Sequence, residues 1–354
     1  MIRTKINQLI YCLTISILLF ATCRKEENIT TDYSKILLNL ANDVILVTYA
    51  ELDTKTQDLV TALTNLETHP SETNLELARQ AWRDARVPWE QSEGFLFGPV
   101  DQQGIDSAID SWPVNQPDLD AVLASPEVLS KAYIDGLDGT LKGFHTIEYL
   151  IFGVGGSKSF NSFTSREFEY LRACAQSLEG ATQQLYYAWK PDQHNFLANV
   201  INAGKTGYTS VYPSQKAALE EIVNGLVVIA DEVANGKIND PLSQQNVNLE
   251  ESRFSSNSKQ DFADNIRSIQ NAYTGVYKGS TGLGISNVIS SSNSLADKKV
   301  KQDIEDAIIA IESIPGSFTS AIFNAKSSVE NAQQKVRNLQ QTLEEQILPI
   351  ISNL

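Results

Sequence analysis

Apolar residues recur at intervals of three and four along most of the chain. Phe168, Leu171, Cys174, Leu178, Ala181 and Leu185 form one set, and Leu219, Ile222, Leu226, Ile229 and Val233 a second. Val329, Ala332, Val336, Leu339, Leu343 and Ile347 form a third. With 3.6 residues per turn, each set lines one side of a helix, while sustained alternation of the strand type is missing. The pattern predicts an all-α protein built from helical bundles.

Breakers divide these helical stretches. Pro70-Ser71 separates a first long helical region from one carrying Leu75 through Phe95, with a bend expected at Pro88 and an end at Gly98-Pro99. From Val100 to Gly143 the chain is irregular, with Pro113, Pro117 and Pro126, which predicts loops and short helices. A stretch of that length inside a compact domain is more often functional than idle. Ala203 to Ser214 holds two glycines and a proline, and the domain boundary is placed there. The body then reads as two helical-bundle domains, over 33–205 and 206–354. A second irregular stretch, Gly279 to Ser294, falls between helices of the second half much as Gly98 to Gly143 falls in the first. This correspondence suits two bundles related as a pseudo-repeat, although no repeat is strict enough to establish duplication.

The first residues follow another pattern. Arg3 and Lys5 open the chain and an apolar run from Leu9 to Ala21 ends at Cys23, the layout of an export signal. The run is shorter than the roughly 20 residues a helix needs to cross a bilayer. LLFATC is similar to a lipoprotein signal, which gives a signal peptide over 1–22, lipidation at Cys23 and a tether over 23–32. Thr22 stands where Gly, Ala or Ser is usual, so ordinary signal cleavage is the alternative. Lys25-Glu26-Glu27 resembles the charged tract of some outer-membrane lipoproteins of the Bacteroidetes. The expected location is therefore outside the cytoplasm, on the outer membrane, facing the periplasm or the surface, with the membrane as a partner through the lipid.

Composition narrows the function. Hydrophobic residues make up 42% and charged residues 20% of 354, an ordinary globular balance. The formal charge is −15, and removal of Arg3 and Lys5 with the signal takes it to −17. An acidic body lacks the basic footprint that nucleic-acid binding requires, and it is compatible with cations. Cys12 lies in the signal and Cys23 is the lipid site, so Cys174 is left without a partner for an internal disulfide. Its place on an apolar helical face makes it a small core residue.

The chemistry centres on GFHTIEYLIFG. His145 and Glu148 are three apart, so on a helix both side chains leave from one face. An imidazole beside a carboxylate suits a divalent metal such as zinc or iron, or a carboxylate that orients a histidine for proton transfer. A metal would need at least one further ligand. His69 and His194 sit in turns with no reason to meet His145, so carboxylates are the better candidates: Glu93, Asp101 and Asp110. Arg86 could hold the Glu148 carboxylate or a bound anion, or form an exposed helix pair with Glu90 four residues on. Trp82, Trp89, Phe95 and Phe97 read as core or cleft wall.

Three separated segments carry a resemblance that covers most of the chain. Gly143, His145 and Glu148 match the Gly-x-His-x-x-Glu signature of the imelysin family. AWRDARVPWEQSEGFLFGP matches that family's first-domain segment at Trp82, Arg86, Trp89, Glu90, Glu93, Phe95, Phe97, Gly98 and Pro99, as does Ser111 to Pro113. ESRFSSNSKQDFADNIRSIQNAYTGVY is similar to its later segment around Ser255, Asn257, Asp261 and Asn265. The resemblance implies a two-domain helical fold with His145 and Glu148 at an interdomain site, and Arg86, Trp82, Asp261 and Asn265 as binding residues, with Asp110 of the irregular region a further binding candidate. It also implies an envelope protein tied to iron uptake, in a family classed with metallopeptidases, with iron-uptake components or a peptide as partners. Three readings follow. One is a lipoprotein binding a metal ion or an iron-related ligand or partner. The second is a metallopeptidase with candidate catalytic residues His145, Glu148 and Glu93. The third is a structural adaptor with a degenerate site. The sequence presents a ligand pair without an assignable general base, which ranks binding first.

Overall fold

The computed structural model describes residues 31–354. The expected signal peptide, the lipid site at Cys23 and most of the tether lie outside the described residues. Among the described residues there is no strand, and no helix is long and apolar enough to cross a membrane.

Eight helices carry the architecture: α1 (Leu46–Thr68), α2 (Glu72–Glu90), α3 (Gly143–Phe152), α4 (Ser165–Trp189), α5 (Gln215–Asp231), α6 (Ser258–Thr274), α7 (Ser294–Glu312) and α8 (Lys326–Thr342). Their ends carry the local signals that stop helices from fraying. Ser71, Ser214 and Asn293 side chains accept the amides of Asn74, Ala217 and Ala296. Thr164 and Glu167 form a reciprocal capping box at the start of α4. The predicted apolar faces are the buried ones: Leu219, Ile222, Leu226, Ile229 and Val233 are closed from solvent, as are Val329, Ala332, Val336, Leu339, Leu343 and Ile347. Cys174 is also buried, and burial pushes its thiol up to about 12, so it behaves as core.

In the first half α1 packs on α2 and α4, and α3 lies against both α2 and α4. In the second half α7 packs on α8 and α6. Tyr33–Leu354 form one compact unit, in which α6 also packs on α2 and the turn Glu93–Phe95 packs on α5. That last contact is unusually close. A Cβ added to Gly225 would stand 2.5 Å from the Gly94 carbonyl oxygen, so the turn after α2 reaches α5 only because Gly225 has no side chain.

The region from Val100 to Gly143 is a series of short helices and loops, as its prolines and glycines predict. Pro88 lies inside α2, which ends at Glu90, rather than within a helix running on to Phe95. The stretch Gly279 to Ser294, expected to be irregular, contains the helix Ile285–Ser292. Ile285, Val288 and Ile289 supply a buried face there that outweighs the serine-rich composition.

Gly143 explains its place in the Gly-x-His-x-x-Glu sequence. It has φ +73°, and a Cβ there would lie 2.3 Å from the carbonyl oxygen of Ile109. The first turn of α3 therefore abuts the end of the short helix Ile105–Ile109, and Asp110 is delivered beside His145. Gly143→Ala combines a left-handed backbone with a backbone clash and should cost about 3 kcal/mol. The check is urea unfolding of the purified protein; an unchanged midpoint would refute the close-approach role.

Candidate metal centre

Arg86, on α2, is buried, and its guanidinium collects carboxylates from four places in the chain. It pairs with Glu90 one turn along and with Asp110, and lies 3.0 Å from Glu251 Oε1 and 3.5 Å from Asp261 Oδ1. The carbon between its nitrogens sits 5.2 Å from the Phe144 ring centre and 5.7 Å from that of Trp82. Trp82 itself is fixed by donating to the Phe144 carbonyl at 2.9 Å.

His145 enters this cluster from α3. Its Nδ1 is 3.3 Å from Glu148 Oε2, so the pair does share one helix face. Its Nε2 points the other way, 3.0 Å from Asp110 Oδ1 and 3.9 Å from Glu251 Oε1. The Asp110 contact is a close ion pair without hydrogen-bond alignment, for Nε2 has no hydrogen-bond partner. The other oxygen of Asp110 accepts from Trp89 Nε1 at 2.7 Å. Glu148 is held from behind, where its Oε1 accepts from the amide and hydroxyl of Ser255 at 2.8 and 2.7 Å.

Lys237 closes the cluster from the far side. Its ammonium is 3.2 Å from Glu251 Oε1, 3.7 Å from Glu90 Oε2 and 3.8 Å from Glu93 Oε1. Asn265 donates to Glu90 Oε2 at 2.6 Å and Asn257 to Asp261 Oδ1 at 2.8 Å. Six carboxylates, those of Glu90, Glu93, Asp110, Glu148, Glu251 and Asp261, thus surround Arg86, Lys237 and His145. Negative charge is in excess, and burying charge without full compensation is costly.

The pKa values follow from this balance. Burial pushes the Glu90 and Glu93 carboxyls well above the usual range, against the pull of Arg86 and Lys237 on the first and of Lys237 on the second. Burial also raises Asp261 despite Arg86. Asp110 goes the other way: burial would raise it, but Arg86 and His145 hold it well below the ordinary carboxylate range. For His145, burial acts to lower the value, and the Asp110 and Glu148 carboxylates outweigh it and raise it to about 9.

Two groups of side chains bring ligand atoms within 4.8 Å of one another: Asp110, His145 and Glu251, and Glu90, Glu93 and Asp110. Both contain Asp110. Imidazole nitrogen with carboxylate oxygen is a donor set for zinc or iron. The buried Oε2 of Glu251 has no hydrogen-bond partner and is an atom of the kind an ion satisfies, and His145 Nε2 faces the same group, so these residues fit a metal that displaces the imidazole proton.

Among the residues expected from sequence, His145, Glu148, Glu93, Arg86, Asp110, Asp261 and Asn265 all meet here, and Trp82 lines the guanidinium. Arg86 takes Glu90 as its partner rather than Glu148, and that pair is buried rather than exposed. Asp101 is exposed and supplies no ligand atom to either group. His69 and His194 are exposed, away from His145. Glu251 and Lys237 were not foreseen. Glu251 adjoins the segment that matched around Ser255, and a second acidic position there was the available signal; Lys237 gave none.

Comparison with known proteins identifies the family and the fold. The imelysin family model, of the peptidase M75 group, matches residues 45–350. Iron-regulated protein A of Synechococcus elongatus is 30% identical over 338 residues, spanning 94% of this chain and 90% of its own. A crystal structure from Parabacteroides distasonis, provisionally described as an iron-regulated protein A precursor, superposes with a TM-score of 0.81 at 26% identity. It covers 90% of this chain and 94% of that one. An imelysin-like protein from Psychrobacter arcticum shares the fold, with a TM-score of 0.74 at 14% identity, over 90% of this chain and 95% of that one. The chain belongs to the imelysin family.

The pH dependence of metal-free protein follows from the signs. His145 has its folded pKa at about 9 against an ordinary 6.5, so its contribution is complete below pH 6.5 and lost as pH rises through 9. Glu90, Glu93 and Asp261, also raised, act in the same sense, while Asp110 opposes acidification. Chelator-treated protein should lose on the order of 3 kcal/mol of stability through His145 across that window. Urea midpoints measured between those pH values should fall for wild type and less steeply for His145→Gln; parallel curves would rule out the assigned ion pair.

Proposed function

We propose that this protein is an exported outer-membrane lipoprotein that holds a divalent metal ion, zinc or iron, on Asp110, His145 and Glu251, and serves iron uptake. The observation that carries the reading is the convergence of three ligand atoms from separate segments within 4.8 Å, in which His145 Nε2 faces the oxygens of Asp110 and Glu251. Glu148 then acts as the carboxylate behind the ligand, orienting the imidazole through Nδ1, the usual companion of a metal-bound histidine. A bound ion would supply positive charge to a carboxylate-rich interior. The iron role is supported by the name of the cyanobacterial relative, and the lipid anchor by the Cys23 context.

Binding is favoured over peptidase activity because the cluster is closed: His145, Glu148 and Glu251 are 0–1% exposed at the side chain and Asp110 5%. A polypeptide substrate must reach its metal and leave an open coordination position for water. The carboxylates nearest the imidazole are also engaged, Asp110 by Arg86 and Trp89 and Glu148 by Ser255, which leaves no uncommitted general base beside it.

Metal analysis of protein equilibrated with Zn2+ or Fe2+ tests the reading. Wild type should retain stoichiometric metal, and Asp110→Asn, His145→Ala and Glu251→Gln should lose it. Glu148→Gln should weaken binding roughly 10- to 100-fold, the range for a residue behind a ligand. Binding releases the imidazole proton, so affinity should rise with pH. Equal metal in wild type and His145→Ala, or none in either, removes the metal centre and leaves a structural adaptor. Peptide cleavage by wild type but not His145→Ala would restore the enzyme. For the anchor, mass measurement from a lipidating host should give an acylated N-terminus at Cys23, absent in Cys23→Ala; identical unacylated products would contradict it.

A further inference from the structure

Lys237 is a participant in the cluster to which the proposed function gives no role. It lies on Glu232–Ile238, a π-helical stretch that continues α5, and its side chain is 1% exposed. Stretches of this kind insert an extra residue per turn and recur at functional sites. Its ammonium reaches carboxylates from both metal-capable groups: Glu251 of the first at 3.2 Å, and Glu90 and Glu93 of the second at 3.7 and 3.8 Å. A fourth carboxylate, Glu232, is 3.8 Å away and differs from the others in being 46% exposed.

We infer that Lys237 is a tethered cation that competes with the metal ion for Glu251, Glu90 and Glu93, and so sets the affinity of the centre. The inference rests on the metal-centre reading. An ammonium and a hard divalent ion seek the same oxygen atoms, and two cations among the same few carboxylates repel one another. Arg86 is not equivalent. Its planar fork is pinned by Glu90, Asp110, Glu251 and Asp261 and held against two rings, so it is built into the frame. Lys237 is a point charge on a flexible stem with a way out, because Glu232 can keep the ammonium paired when the buried oxygens turn to an ion. The metal-free protein thereby keeps its carboxylates compensated, and the ion it takes up remains exchangeable.

The test is isothermal titration of Mn2+ and of Zn2+ into chelator-stripped full chain, comparing wild type with Lys237→Met, Lys237→Gln and Lys237→Arg. Both neutral variants should bind roughly tenfold more tightly or better, a gain of about 1.4 kcal/mol. The arginine variant should bind no more tightly than wild type. Melting curves add a readout independent of affinity: stripped Lys237→Met should melt below wild type and gain more from added metal. If wild type binds and both neutral variants bind equally or more weakly, the tethered-cation role is overturned and the metal centre stands. Where wild type binds nothing but the neutral variants acquire metal, competition is upheld while the proposed metal centre of the wild-type protein falls. If none of the three binds, both ideas fall together with the metal analysis. A methionine variant that folds only with metal present supports the inference; if it folds in neither condition, the glutamine variant decides by the same criteria.

Discussion

The rest of the structure is arranged around a buried excess of carboxylate. Six acids are withdrawn from water around two permanent cations and one histidine, and none of the oxygens involved can be left as an isolated charge. The protein meets this constraint by concentration. Arg86 engages four carboxylates and Lys237 shares three buried ones, so each positive charge is used several times over. Buried networks of this sort are poor investments in stability compared with apolar packing of similar volume. Such a network fits a role in holding something charged, and the fit is best where His145 Nε2 lies between oxygens of Asp110 and Glu251.

Convergence of the network depends on backbone more than on side chains. Glu90, Glu93, Asp110, His145, Lys237 and Glu251 come from six separate local structures: a helix end, a tight turn, a loop after a short helix, a helix start, a π-helical stretch and an irregular segment. Two absent side chains bring them together. Gly143 lets α3 start against Ile109, which sets Asp110 beside His145, and Gly225 lets the Glu93 turn settle on α5, whose continuation carries Lys237. The apolar faces of the helices make the scaffold, and the glycines determine how closely its polar centre closes.

That division explains what the sequence disclosed. Helical periodicity is a local signal, so the buried faces of α4, α5 and α8 were legible from spacing alone. His145 and Glu148 were legible as a pair because both lie on one helix face, the distant matching segment supplied Asp261 and Asn265, and the irregular stretch offered Asp110 as a carboxylate candidate. The roles within the site were less accessible. Spacing suggested that Glu148 would share a metal with His145, whereas its second oxygen is taken by Ser255 from 107 positions away, a contact with no local trace. Arg86 with Glu90 looked like an ordinary surface pair, since a four-residue interval says nothing about burial. Lys237 stayed hidden because lysine is expected on the outside, and it lies buried on a π-helical stretch that the 3.6-residue spacing does not describe.

The inward lysine also bears on why such a centre would bind rather than cleave. A hydrolytic metal works by leaving a coordination position for water and a base to take its proton, which requires open space and an uncommitted carboxylate. Here the acids are committed to cations or to hydroxyl and amide donors, and the site is closed to solvent. A centre built for exchange has a different requirement: it must be tolerable when empty. Burial that pushes the Glu90 and Glu93 carboxyls upward, an imidazole at His145 whose pKa is raised by its carboxylates, and the ammonium of Lys237 all act toward it, each replacing part of the charge an ion would bring. An interior whose charge is partly balanced by protons and an ammonium would take up a metal ion by releasing them, because ligands must be deprotonated to bind.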